Sequence, residues 1–136
     1  MIFFHPMPLP TDLHHSTREE VMFFDTDIGG VVHNLAYLRM IETCRTKLAG
    51  LMGMDLTEMA TGKVFPVVVR SEVDYKRSAT LGDTLRIDGR LAEVQRARFW
   101  CAFEVRRDRD DLLLVTARQC LALVQMPEGK PVRLPW

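Results

Sequence analysis

The sequence predicts an α+β fold in which a long central helix is wrapped by a curled antiparallel β-sheet, and three observations carry that prediction. From Asn34 onward, Leu38, Ile41, Cys44, Leu48 and Leu51 recur at steps of three or four, with Arg39, Glu42, Arg45 and Lys47 between them. That is the pattern of a helix with one broad apolar face. After Lys63 the texture changes to β-branched and aromatic runs, partly alternating: "VFPVVVRSEVDYKR", "TLRIDGRLAEVQ", "RFWCAFEVRR" and "LLLVTARQCLALVQM". A lone helix with one apolar stripe can bury it across the concave face of the sheet that these strands would form.

Taken in order, the first strand is expected to end at "EEVMFF" (Glu19 to Phe24), where "DTDIGG" breaks it. The helix then runs for about 18 residues, with Asn34 suited by type to its N-cap, until "GLMGMD" stops it. Asp55 caps a short helical turn in "DLTEMAT". The four later strands are separated by turn signals, "LGD" at Leu81 to Asp83, "RA" at Arg96 to Ala97 and "DRDD" at Asp108 to Asp111, and so should form a meander. "PEGKPVRLP" reads as an irregular tail. Residues 1–15 are expected as an extended N-terminal arm, and residues 16–136 as a single domain. Open sheet edges are best protected by pairing with a second copy, which implies a homodimer.

Composition narrows the function. Eighteen basic residues balance eighteen acidic ones, and 47% of residues are hydrophobic. Net neutrality argues against bulk attraction to nucleic acid or to an anionic membrane, and the apolar fraction is enough for a packed core. No apolar run approaches a membrane span. The opening "MIFFHPMPLPTD" is proline-broken and has no basic start, unlike a signal peptide. Cys44, Cys101 and Cys120 are odd in number and without short pair spacing, which reads as buried thiols in a reducing cytoplasm. His5, His14 and His15 have no Cys or carboxylate at ligand spacing, so no metal site is expected. Neither a phosphate-binding Gly-Lys-Ser/Thr loop nor a "GxSxG" elbow is present.

The segment "FFDTDIGGVVHNLAY" (Phe23 to Tyr37) concentrates the chemistry. One reading makes Asp25, Asp27 and the Gly29-Gly30 pair a turn that starts a helix. The other notes that glycine lets the backbone approach a ligand, and that a helix N-terminus offers N–H groups to polarise a carbonyl. A carboxylate beside such donors can act as base or nucleophile. His33 is either a base or a polar cap contact, and Glu42 either an acid of the site or a surface partner of Arg39 and Arg45. Arg77, Arg96, Arg98 and Arg133, with Lys76 and Lys130, are either solvated strand ends or donors to the phosphates of a large anionic ligand. Met59, Phe65, Phe99 and Trp100 either line a pocket or fill the core.

The stretch "FFDTDIGGVVHNLAY…E" followed by "VDYKRSATLGDTLRIDGRLAEV" resembles the hotdog-fold acyl-CoA thioesterases, over about residues 18 to 134. The resemblance is to the 4-hydroxybenzoyl-CoA thioesterase branch, with the short bacterial enzymes associated with the Tol-Pal system. It implies thioester hydrolysis at a site on a dimer interface, and dimers that pair into tetramers. It places the catalytic carboxylate on Asp27, leaving Asp25 structural, and the carbonyl-polarising backbone N–H on Asn34. Gly30 and Val31, with Arg77, Arg96, Arg98 and Arg133, then fall to substrate and CoA binding. CoA would arrive as part of the substrate, with no separate cofactor. Many members of the short bacterial group carry "VVYH" where this chain reads "VVHN", so His33 stands at the usual tyrosine and the family histidine is absent from position 34. Rival readings are a thioesterase acting on acyl carrier protein and a non-catalytic acyl-CoA binding module. A hotdog dehydratase lacks its histidine and downstream acid here.

Overall fold

A six-stranded antiparallel sheet carries one long and one short helix in a computed structural model that describes residues 12–134. The elements are β1 (His14–Glu20), a 3-10 turn (Phe23–Asp25), α1 (Asn34–Leu51), α2 (Leu56–Gly62), β2 (Val64–Tyr75), β3 (Thr84–Val94), β4 (Arg98–Arg107), β5 (Leu112–Gln125) and β6 (Lys130–Val132). Strand order is β1-β3-β4-β5-β2, with β6 added to the end of β5.

The core forms between α1 and one face of the sheet. Alternation along β4 buries Phe99, Cys101, Phe103 and Val105 and turns Trp100, Ala102 and Glu104 to the other face. Cross-strand rows such as Ile87–Val105–Val115 and Gly89–Phe103–Ala117 then lie under the helix. From α1, Ala36, Tyr37, Met40, Ile41, Cys44, Leu48 and Ala49 are buried, and the helix rests on β1, β3 and β4. Gly89 permits that approach, because a Cβ there would stand 2.9 Å from both Cys44 Sγ and a Phe103 ring carbon. On this face the inward row of β5 is buried, and the edge strand β2 stays open at Tyr75 and Ser71.

Several expectations are corrected. Most of the expected arm, with His5, lies outside the described residues, but His14 and His15 already belong to β1. The first strand therefore runs from His14 to Glu20 rather than to Phe24, and Phe23–Asp25 is a 3-10 turn. The later strands are not one meander. β3, β4 and β5 follow one another, but β2 crosses to pair with β5, and β1 takes the place beside β3. The β2–β3 connection is not a hairpin because its backbone is used elsewhere: Lys76 N–H and Arg77 N–H donate to Leu114 O, and Val32 N–H donates to Ala79 O. The tail is not wholly irregular, since Lys130–Val132 pairs with Leu123–Gln125.

Candidate active site

The two aspartates of the opening motif occupy opposite environments. Asp25 is 2% exposed. Its Oδ2 accepts Met22 N–H at 3.0 Å, closing the 3-10 turn, and Arg39 approaches Oδ1 at 3.8 Å while holding Glu19 at 3.2 Å. Its carbonyl accepts the N–H of His33 at 3.0 Å. Asp25 thus closes the turn with its side chain and, through its carbonyl, ties that turn to the segment that opens α1.

Asp27 is exposed. Thr26 and Val32 form an antiparallel bridge, and Asp27 N–H donates to Val31 O at 2.9 Å, so residues 27–31 make a tight loop. Gly30 N–H closes it onto Asp27 O at 3.0 Å with Gly30 at φ 76°, a left-handed conformation that favours glycine. Asp27 Oδ1 accepts Gly29 N–H at 2.9 Å. Among the described residues no cation pairs with this carboxylate. Val31 bridges to Thr80, and Ala79 N–H donates to Tyr37 Oη at 2.9 Å, so the 79–80 segment clamps the loop from the side. Burial is the main cause that pushes the Tyr37 phenol above its ordinary pKa.

The helix start differs from the expected arrangement by one residue. His33, not Asn34, is the N-cap: its backbone is extended (φ −78°, ψ 156°) and its Nδ1 accepts Ala36 N–H at 3.1 Å. An acceptor Nδ1 means that the neutral ring carries its proton on Nε2. Asn34 is the first helical residue and is exposed, and among the described residues the N–H groups of Asn34 and Leu35 have no intrachain acceptor. These are the orphan donors of a helix N-terminus, presented to solvent.

The other expected site residues do not gather here. Glu42 lies two turns along α1 with its side chain 65% exposed, paired to Arg45 Nη2 at 3.4 Å. Arg77 follows β2, close in sequence to the clamp at Ala79, and so belongs to the Asp27 end of the sheet. Arg96, Arg98 and Arg133 belong to the other end. Arg98 pairs with Ala122, near the finish of β5, and Leu134 N–H reaches Arg96 O at 3.4 Å, tying the tail to the β3–β4 turn. Since Lys76 and Arg77 contact Leu114 near the start of β5, the two groups are separated by about 25 Å of strand. Phe99 and Met59 are core, Phe65 is half-buried, and Trp100 lies on the outer face with the Arg118 guanidinium 4.4 Å from its ring centroid.

Sequence reasoning missed a polar chain on the helix side of the sheet. Arg45 Nη1 donates to Gln119 Oε1, and Gln119 Nε2 donates to Ser71 Oγ at 3.2 Å. Gln119 is 4% exposed, and burial holds the Arg45 pKa below its usual value. The signal was one polar residue in the inward row Val115, Ala117, Gln119, Leu121, Leu123 of β5. A separate groove of about 680 Å³ crosses the outer face, among Ser16, Glu72, Asp74, Asp88, Glu104 and Arg118, away from Asp27. Among the described residues no group of three or more His, Cys, Asp or Glu is placed to hold a metal ion, and no helix is long and apolar enough to cross a membrane.

Residues 21–136 match the model of the thioesterase-like superfamily. The chain belongs to that superfamily. It is 32% identical over 116 residues to the acyl-CoA thioesterase YbgC of Haemophilus influenzae, covering 85% of this chain and 84% of that one. It is 25% identical over 122 residues to a 1,4-dihydroxy-2-naphthoyl-CoA hydrolase of Synechocystis, covering 88% of each. The crystal structure of a probable thioesterase from Bartonella henselae superposes with a TM-score of 0.82 at 33% identity, covering 90% of this chain and 99% of that one. The antiparallel six-stranded sheet with few helices fits these thioesterase neighbours.

Proposed function

We propose that this superfamily member, a thioester hydrolase, cleaves acyl-CoA to a carboxylic acid and free CoA, with Asp27 as the reacting carboxylate. The observation that carries the proposal is one hairpin, residues 25–33, that holds an exposed, uncompensated carboxylate beside the open start of α1. Its relatives in Haemophilus influenzae and Synechocystis are a thioesterase and a hydrolase of CoA thioesters.

In this reading the open N–H of Asn34, with that of Leu35 beside it, polarises the thioester carbonyl and holds the oxyanion as carbon becomes tetrahedral, since the N–H groups of Gly30, Val32 and His33 are already bonded within the fold. Asp27 does one of two things. It attacks the carbonyl carbon, expelling CoA thiolate and leaving an acyl–aspartyl anhydride that water opens, or it takes a proton from the water that attacks. His33 caps the donor helix, Gly30 and Val31 let the carbonyl approach, and Glu42 acts only through Arg45. Arg77 serves the near end, while Arg96, Arg98 and Arg133 offer planar donors for CoA phosphates. No further cofactor is required.

The architecture is read as the hotdog arrangement, with α1 wrapped by the sheet and β2 pairing with a second copy to make a homodimer or, by pairing of dimers, a tetramer. Nucleic acid is not a partner in this reading, and the three free, buried cysteines support a cytoplasmic setting.

A thiol-release assay across short, long and aromatic acyl-CoAs tests the activity, repeated with Asp27→Asn and with acyl carrier protein thioesters. Asn keeps the oxygen that accepts Gly29 N–H, so the variant should fold normally. Its turnover should fall roughly 10²–10⁴-fold; near-full turnover would remove Asp27 from the mechanism. Saturable acyl-CoA binding without CoA release would identify a binding module instead.

A further inference from the structure

Resting on that reading, we infer that Ser71, oriented by Gln119 and Arg45, selects acyl groups that carry a hydrogen-bond-accepting oxygen at the end remote from the thioester. The polar chain lies on the helix side of the sheet, along the flank of α1 that leads from the helix start toward β2. Asn34, Leu38, Glu42 and Arg45 follow one another at steps of four, four and three, so they share one flank of α1. That flank descends about 16 Å from the open N–H groups to Arg45. It faces the buried inward row of β5 and, beyond that row, the edge strand β2, whose helix-side Tyr75 and Ser71 are exposed. Along β2, Tyr75, Val73 and Ser71 point to this same side. The Tyr75 ring lies tilted against that of Tyr37 near the helix start, centroids 6.0 Å apart, Val73 faces buried Ala117, and Ser71 faces buried Gln119. The β2 side of this path thus presents Tyr75 and Val73 before the hydroxyl of Ser71.

The direction of every bond in the chain is fixed by its donor. A guanidinium can only donate, so Gln119 presents its oxygen to Arg45 and its amide N–H₂ to Ser71. The Ser71 oxygen is then an acceptor within the chain, and its own proton is left to donate outward. Glu42 on Arg45 completes the series and keeps the arginine in place. An exposed serine on a strand has many rotamers; this one is held by a buried amide that is itself held by a mostly buried guanidinium. A ligand oxygen placed there completes the chain, whereas a methyl terminus leaves the hydroxyl proton without an acceptor.

The test compares two acyl-CoA pairs of matched length, adipyl-CoA against hexanoyl-CoA and a hydroxynaphthoyl-CoA against naphthoyl-CoA, by thiol release with the full chain. Wild type should prefer the oxygen-bearing member of at least one pair by about tenfold or more in kcat/KM. Ser71→Ala should shrink that ratio about 3–10-fold, and Gln119→Leu should do the same by releasing the serine. Thiol release without preference in wild type overturns the proposal while leaving the thioesterase reading intact. A Ser71→Ala variant that lowers both members equally, or alters self-association alone, assigns the chain to folding or assembly and also overturns it. Absence of thiol release from every acyl-CoA removes both readings together.

Discussion

Replacing Asp25 by alanine separates the structural aspartate from the reacting one, and the expected loss can be worked from its contacts. The carboxylate accepts Met22 N–H at 3.0 Å with only 2% of the residue exposed. A hydrogen bond to a buried charged group contributes about 1.5–3 kcal/mol, and its removal also leaves the Met22 donor unpaired. The contact to Arg39 adds less. At 3.8 Å it is long, the arginine side chain is 46% exposed, and Glu19 remains as its partner, so screening holds it to about 0.5 kcal/mol. Asp25→Ala should therefore cost about 2–4 kcal/mol. For a chain of 136 residues the unfolding entropy makes each kcal/mol worth about 3.5 °C, so Tm should drop by about 7–14 °C. Equilibrium urea unfolding at fixed protein concentration supplies the free energy directly, with an unchanged m-value confirming two-state behaviour. Asp25→Asn, which keeps an acceptor oxygen, should lose less than alanine does. A Tm within 2 °C of wild type for Asp25→Ala would refute the assignment of this carboxylate to the turn.

Tyr37→Phe removes the phenol oxygen that accepts Ala79 N–H at 2.9 Å; a stability loss of about 1–3 kcal/mol by urea melt, with faster amide exchange at Ala79 and Val32, is expected. The Cys101 thiol is pushed up to about 12, first by burial. A raised thiol pKa stabilises the fold fully below the unfolded value of about 8.5, and that stability is lost as pH rises from there through the folded value. Iodoacetamide at pH 8 should therefore leave Cys101 unlabelled in the native protein and label it in denaturant, and an alkaline titration should weaken the wild type more than Cys101→Ala.

How much of this was legible in the sequence follows from where burial is one-sided. The stripe through Ile41, Cys44 and Leu48 marks α1 because that helix has one dry face and one wet one. β3 and β4 alternate for the same reason. β1 was placed too late in the chain because "HHSTREE" has no fully buried position: its inward residues are only half covered at the sheet edge, so no apolar alternation marks it. The β2–β3 crossing was hidden because "LGD" does form a turn, closed by Asp83 N–H on Thr80 O, but one that serves the Ala79 clamp rather than a hairpin. At the helix start residue type favours Asn34 as the cap, but the extended backbone at His33 and its Nδ1 acceptor put the cap one residue earlier. The two aspartates could be ranked only through a resemblance, since burial, which separates them in space, leaves no mark on residue type.

The separation between Asp27 and the far arginines has a geometric solution in β2. This strand has 12 residues and pairs only with β5 among the described strands. Val68 and Val69, at its middle, are 40% and 44% exposed. An edge of that length with apolar side chains is a template for another strand, and a two-fold axis through its middle would pair β2 with itself antiparallel. The Tyr75 end of one copy, which carries Arg77 and the Asp27 loop, would then lie beside the Val64 end of the other. At that end Val64 pairs with Gln125, and Arg96, Arg98 and Arg133 follow. Such a dimer builds each site from the carboxylate of one copy and the arginines of its partner. Co-refolding Asp27→Asn with a chain carrying Arg96→Glu, Arg98→Glu and Arg133→Glu measures this directly. Random assortment makes half the dimers mixed, and each mixed dimer regains one intact site of two, so about a quarter of wild-type thioesterase activity should return from two nearly inactive parents. If carboxylate and arginines served the same site from one chain, no mixed dimer would hold an intact site, and the mixture would show only the mean of the parents.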